Sequence, residues 1–297
     1  MQKEFPVFTT TSGLNNKVDP TRISDTDLAV ALNVDLDDSG RISRRKNFTT
    51  TGCVLDAKGL YSNGSRGLFI YSTYLYLLYP DFNYRVLASG LSALSRLRCC
   101  TVNGVIYFVT GYGNGKVTSD VAGNWTGEDY VGPTTFRKFQ DPPTGHLVCY
   151  FAGRMWIAQD STLWFSEPFA FSWFDYARGF VSFSSRLRMI VAVDDGLFVS
   201  TEDSVYFLQG NNPYEMAQVK VHDYPVIEGT DLNAPGGQLA GGENTRQVAM
   251  WTSTRSICAG FSGGAVKELS EAKLTYPEGS FGSAAFLNNT YYVLINE

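Results

Sequence analysis

Apolar runs of four to six residues, each followed by a tight turn and a second aromatic-rich run, recur along the whole chain. The copies are Gly67–Tyr71 with Tyr74–Tyr79, Cys99–Val102 with Val105–Val109, and Leu147–Phe151 with Arg154–Ala158. Further on come Met189–Val193 with Leu197–Ser200, Gln247–Thr252 with Ser256–Ala259, and Ser283–Leu287 with Thr290–Ile295. The turns between them are Ser72-Thr73, Asn103-Gly104, Ala152-Gly153, Asp194-Asp195-Gly196, Ser253-Thr254-Arg255 and Asn288-Asn289. A hairpin repeated at intervals of roughly 30–60 residues is the mark of a radial repeat.

Several copies carry a second hairpin: Leu163–Ser166 after Gln159-Asp160-Ser161, Val205–Leu208 after Thr201-Glu202-Asp203, and Val266–Leu269 after Ser262-Gly263-Gly264. Four short antiparallel strands per unit predict the blade of a β-propeller. A single blade is apolar on both faces, so blades must stack. The sixth copy stops after one hairpin, and an N-terminal hairpin, Val34–Leu36 with Arg41–Thr49, has no inner partner. The expectation is therefore an all-β fold: a β-propeller of about six four-stranded blades, the last closed by the N-terminal hairpin, which removes an open sheet edge. A sandwich of hairpins is the alternative.

Residues 1–32 read as an N-terminal arm and 33–297 as the propeller domain. In the arm, Ser24 has the character of a helix N-cap, with Asp25 and Asp27 in the first turn ahead of Leu28, Val30 and Leu32, predicting a short helix near 25–31. Residues 111–145 and 211–245, rich in Gly and Pro, read as long inter-blade loops suited to partner contacts.

Composition narrows the function. Of 297 residues, 44% are hydrophobic, 14% aromatic and 18% charged, with a net charge of −5. An acidic chain lacks the basic footprint of a tight nucleic-acid binder. No window of about 18 apolar residues predicts a membrane-spanning helix, and the first residues show no apolar signal core, so a cleaved leader is not expected. The five cysteines, Cys53, Cys99, Cys100, Cys149 and Cys258, form no CxxC pair. They fit a reducing compartment, with Cys99 and Cys100 in the core. With only His146 and His222, a histidine-rich metal site is excluded.

The chemical motifs are weak. Asp35–Ile42 resembles the start of a calcium loop, but the twelfth position holds Lys46 where a bidentate glutamate is needed. Ser119–Trp125 approaches an aspartate box, once, with its glycine displaced. No GxSxG, HExxH, Walker-type loop or dinucleotide fingerprint appears. Neither catalytic residues nor a cofactor or metal is expected. Phe165–Phe174 is dense in aromatics, as cores and interfaces are.

Two segments carry a resemblance. Gly13-Leu14-Asn15-Asn16, Asp19-Pro20 and Asn33-Val34-Asp35 through Gly40-Arg41-Ile42-Ser43-Arg44-Arg45 resemble a recurrent opening of tailed-bacteriophage virion proteins. Phe151–Ala158 with Leu163–Pro168 resembles a blade motif of the same group. Lys46-Asn47-Phe48 departs from it where a proline-glycine turn is expected. The resemblance implies the β-propeller nozzle or tail-hub type of short-tailed phage: a homo-oligomeric ring of six copies around the DNA channel of the virion tail. It implies contacts to a head-to-tail adaptor and to a tail fibre or spike, roles in assembly, genome retention and ejection, and synthesis in the host bacterial cytoplasm. Viral DNA would pass through a lumen whose acidic side chains repel phosphate. Interface candidates are Leu14, Asn15, Asn16, Arg44, Arg45, Trp125 and Tyr130. A carbohydrate-binding propeller for host-surface recognition is the second reading, and a propeller hydrolase the third.

Overall fold

The computed structural model describes residues 11–37, 39–45, 57–126, 139–237, 246–270, 273–277, 279 and 281–296. An N-terminal unit comes first. Strand β1 (Gly13–Leu14) pairs in parallel with β2 (Asp27–Leu28), and β3 (Val34–Leu36) pairs antiparallel with β4 (Ile42–Arg44). The helix expected near 25–31 is thus replaced by an extended segment. A stretch as short as 25–31 cannot repay helix nucleation, whereas Asp27 and Leu28 find a strand partner.

Sheets of antiparallel strands follow in chain order. The first is β5 (Lys58–Ser62), β6 (Gly67–Tyr71), β7 (Tyr74–Leu78) and β8 (Tyr84–Ala88); the second is β9 (Arg98–Val102), β10 (Val105–Val109), β11 (Asn114–Thr118) and β12 (Val121–Gly123). The third contains β13 (Phe139–Gln140), β14 (Leu147–Phe151), β15 (Arg154–Gln159), β16 (Thr162–Glu167), β17 (Ala170–Asp175) and β18 (Phe180–Ser182), with both β17 and β18 pairing with β16. The fourth is β19 (Met189–Val193), β20 (Gly196–Ser200), β21 (Val205–Gln209) and β22 (Ala217–His222). The fifth is β23 (Leu232–Pro235), β24 (Gln247–Thr252), β25 (Ile257–Gly260) and β26 (Val266–Glu268); a final hairpin joins β27 (Phe281–Leu287) to β28 (Thr290–Asn296).

Turn chemistry explains the hairpins. Asn103-Gly104 and Asn288-Asn289 have positive φ at both central positions, the geometry of the hairpin turn whose twist matches its strands.

The core lies between the sheets. Leu68, Ile70, Leu75 and Leu77 of the first meet Ile106, Phe108 and Val117 of the second. Tyr107 and Val109, on the other face of β10, pack with Val148, Met155 and Ile157 of the third. Trp156 and Phe165 then face Leu197 and Val199 of the fourth, and Phe198 and Phe207 face Ala249 and Trp251 of the fifth. Successive side chains on a strand point to opposite faces, so a sheet covered on both sides needs an unbroken apolar run. The final hairpin alternates half-buried and exposed instead, because only one of its faces is covered, with Phe286 and Tyr291 against the fifth sheet.

Three expectations need correction. Within its described residues the segment 111–145 carries β11, β12 and β13, and residues 127–138 lie outside the described residues. Its glycines are partly packing residues: a Cβ on Gly115 would lie 2.4 Å from Phe108 Cζ. The segment 211–245 carries β22 and β23, with residues 238–245 outside the described residues; among the described residues β23 is an edge strand paired only with β24, the position in a sheet where Pro is tolerated. The repeated hairpin also shifts phase: it forms strands one and two of the second sheet but two and three of the first and fifth. The hairpin β3–β4 and the hairpin β27–β28 stand as separate two-stranded sheets, and no ladder joins them among the described residues.

Candidate functional site

The leading ends of successive inner strands gather polar side chains at one rim of the array. Arg98 opens β9 and its Nη2 lies 2.9 Å from Asp231 Oδ1, which precedes β23. This bond spans from the second sheet to the fifth. Asp231 is 9% exposed at its side chain, so removing its partner would strand a nearly buried charge. Arg186, ahead of β19, reaches Glu228 at 2.7 Å. Burial pushes the Glu228 carboxyl up, but the hydrogen bond and charge of Arg186, with His146 and Arg98, carry it below the usual glutamate range. His146, ahead of β14, donates through Nε2 to Leu187 O at 2.7 Å. Its pKa falls, chiefly through burial, so the imidazole is neutral at pH 7. Arg96 lays its guanidinium 4.2 Å from the centre of the Phe281 ring.

Each charge here meets a partner of opposite sign, a carbonyl or a ring. That arrangement locks strand ends; it does not assemble a nucleophile, a base and an open reacting position. The three thiols next in line are Cys99, Cys100 and Cys149, all free and pushed up by burial, which makes them poor nucleophiles. Among the described residues, no group of three or more His, Cys, Asp or Glu is arranged to hold a metal ion.

The second polar cluster joins the chain's beginning to its end. Asn16 donates from Nδ2 to Thr275 O at 3.0 Å, accepts from Thr275 N at 2.9 Å, and donates from its backbone to Lys273 O at 2.9 Å. Asn15 Nδ2 and Ser12 Oγ donate to Asp27, and Lys273 Nζ completes the knot at 3.0 Å. The hydrogen bond from Asn15, then those from Ser12 and Lys273, lower Asp27 to about 2.

The interface candidates fare unevenly. Asn15 and Asn16 come together in this knot, and Leu14 lies beside them in β1. Arg45 pairs with Asp35 at 2.8 Å, half-exposed, while Arg44 is exposed in β4. Trp125 is not a surface residue: it is 2% exposed, packs its ring at a tilt against Tyr107 and donates through Nε1 to Phe171 O. Tyr130 lies outside the described residues. Sequence reading passed over Arg98, Glu228 and Asp231, and it named His146 and Arg186 without linking them to these residues. Their shared signal is position, each at or just ahead of the start of an inner strand.

No family model and no curated protein sequence matches the chain. Solved structures match its fold. The extracellular domain of BT4673 from B. thetaiotaomicron superposes with a TM-score of 0.51 at 14% identity, over 80% of this chain and 31% of that one. The Neurospora crassa Pan2 WD40 domain aligns at 0.46 and 9% identity, over 78% of this chain and 69% of that one. A gluconolactonase from Xanthomonas campestris aligns at 0.47 and 10% identity, over 77% and 79%. The chain spans about a third of the length of the first of these. The fold is all-β and of the β-propeller kind.

Proposed function

We propose that this chain is a non-enzymatic structural subunit of a short-tailed phage tail, a nozzle or hub copy in a ring around the DNA channel below the head-to-tail adaptor. One observation carries the reading. The N-terminal residues that resemble phage virion proteins form a folded unit stitched to the far end of a propeller body, through Asn16 and Thr275. A motif retained for assembly would be used in this way.

The sixth blade belongs to the same proposal. Among the described residues, the hairpin β27–β28 has a free edge at β28, and β3–β4 has a free edge at β3. Asn16 lines a cleft with Thr275, Tyr276, Pro277 and Ile295 of β28, so the N-terminal unit already stands beside that edge. Pairing in the order β27-β28-β3-β4 completes a four-stranded blade and removes both edges. Because the Arg98–Asp231 bond bridges the second and fifth sheets at the inner rim, the proposal places the DNA conduit between copies.

A carbohydrate-binding propeller is the second reading, favoured by a cluster of Phe69, Tyr71, Tyr74, Tyr76 and Tyr84 on the outer face of the first sheet, where Tyr71, Tyr74 and Tyr84 are exposed. Native mass spectrometry with electron microscopy of the purified chain separates the two. The tail reading predicts closed rings of identical copies, six by the proposal, that do not retain duplex DNA at physiological salt. Monomers at every concentration, with saturable glycan binding, would overturn it.

A further inference from the structure

The array of sheets has two ends, and among the described residues each leaves one face without a neighbouring sheet. On the final hairpin Tyr292, Leu294 and Leu287 point outward, Leu294 being 66% exposed. On the first sheet Leu60, at 68%, and Val86 do the same. At the inner rim Phe281 of the final hairpin lies under the guanidinium of Arg96, which leads into β9 of the second sheet. Away from that rim, the final hairpin rests on the fifth sheet through a single face. Tyr291 donates to Thr230 O at 2.6 Å and Gly282 N donates to Glu228 O at 2.8 Å. The segment 273–277 leading into this hairpin carries the bonds to the arm: Asn16 to Thr275 and Lys273, and Lys273 to Ser12 and Asp27.

We infer that the N-terminal arm is a strap that holds the final hairpin in place, and that freeing the arm releases β27–β28 as a unit while the central sheets stay folded. Two features make the release local. The strap is polar and short, so it can detach without unpacking a core. The hairpin it secures is covered on one face, whereas the sheets between are packed on both, and local opening follows the part with the least buried apolar contact. A partner that took the arm, such as a neighbouring copy or the adaptor, would thereby free the final hairpin from the fifth sheet. The strap itself does not depend on the tail reading, because its elements all lie within one chain.

Hydrogen exchange on the intact chain tests this. Asn16→Ala removes both side-chain bonds to Thr275, and Lys273→Ala removes the cation at the centre of the knot. Arg45→Ala, which breaks a surface pair with Asp35 outside the strap, is the control. Losing such hydrogen bonds should speed exchange across residues 281–296 by about tenfold, with β14–β20 unchanged and the control silent. Unchanged exchange at 281–296 in both strap variants overturns the inference. So does an equal rise over the whole chain, or a control that behaves like the strap variants.

Discussion

Trp125 illustrates how a residue can mislead when its neighbours in sequence are polar. Lying between Asn124 and Thr126 in a Gly-rich stretch, it reads as an exposed anchor, yet it is buried with its indole nitrogen satisfied by Phe171 O. Trp125→Ala should therefore cost about 3–5 kcal/mol in chemical denaturation, as for other large-to-small core changes. A stability loss below about 1 kcal/mol, together with lost assembly, would return it to the surface. Asp27 was legible as an acidic residue with a local role, but that role is different: it accepts hydrogen bonds in a knot and stands in no helical first turn. Its folded-state pKa of about 2 lies below the ordinary 3.8. A carboxylate lowered in this way stabilises the fold fully above its unfolded pKa and loses that contribution as the pH falls. The arm should thus stay docked from neutral pH to about 4 and detach between about 4 and 2. Amide protection of residues 12–28 measured across that range checks it; detachment already at pH 6 would contradict it.

At the scale of elements, the sequence displayed most clearly the strands that are buried on both faces. Met155–Ala158 and Leu197–Val199 are continuous apolar runs because a sheet covers each side. Outer strands were harder to see. Ala217–His222 is exposed over most of its length, and no side-chain pattern separates such a strand from a loop when only its backbone is satisfied. The junction of the fifth sheet and the final hairpin depends on backbone approach. Gly229 has φ +102, and a Cβ there would lie 1.9 Å from Gly282 O. Gly229→Ala forces the hairpin away and adds left-handed strain of about 1–3 kcal/mol. The expected result is faster proteolysis within 281–296 at unchanged resistance of the central sheets. Uniform resistance along the chain would show that the hairpin tolerates the shift.

For the whole molecule, the propeller class followed from the repeat, but the inner rim did not. Arg98, His146, Arg186 and Asp231 are single residues about 40–50 positions apart, and they align only once the phase of each sheet is known. That phase slips between sheets, since the repeated hairpin supplies different strands in the first and second. The proposal that the ends of the chain meet now has two parts: a strap of polar bonds that is present, and a blade of four strands that remains to be joined. An experimental density map of the assembled protein tests it most directly at the edge of β28. The account predicts β3 running antiparallel beside β28 at the ladder spacing of about 4.8 Å, with β4 outermost. A β28 edge that faces solvent or another chain, with β3–β4 lying elsewhere, would contradict it.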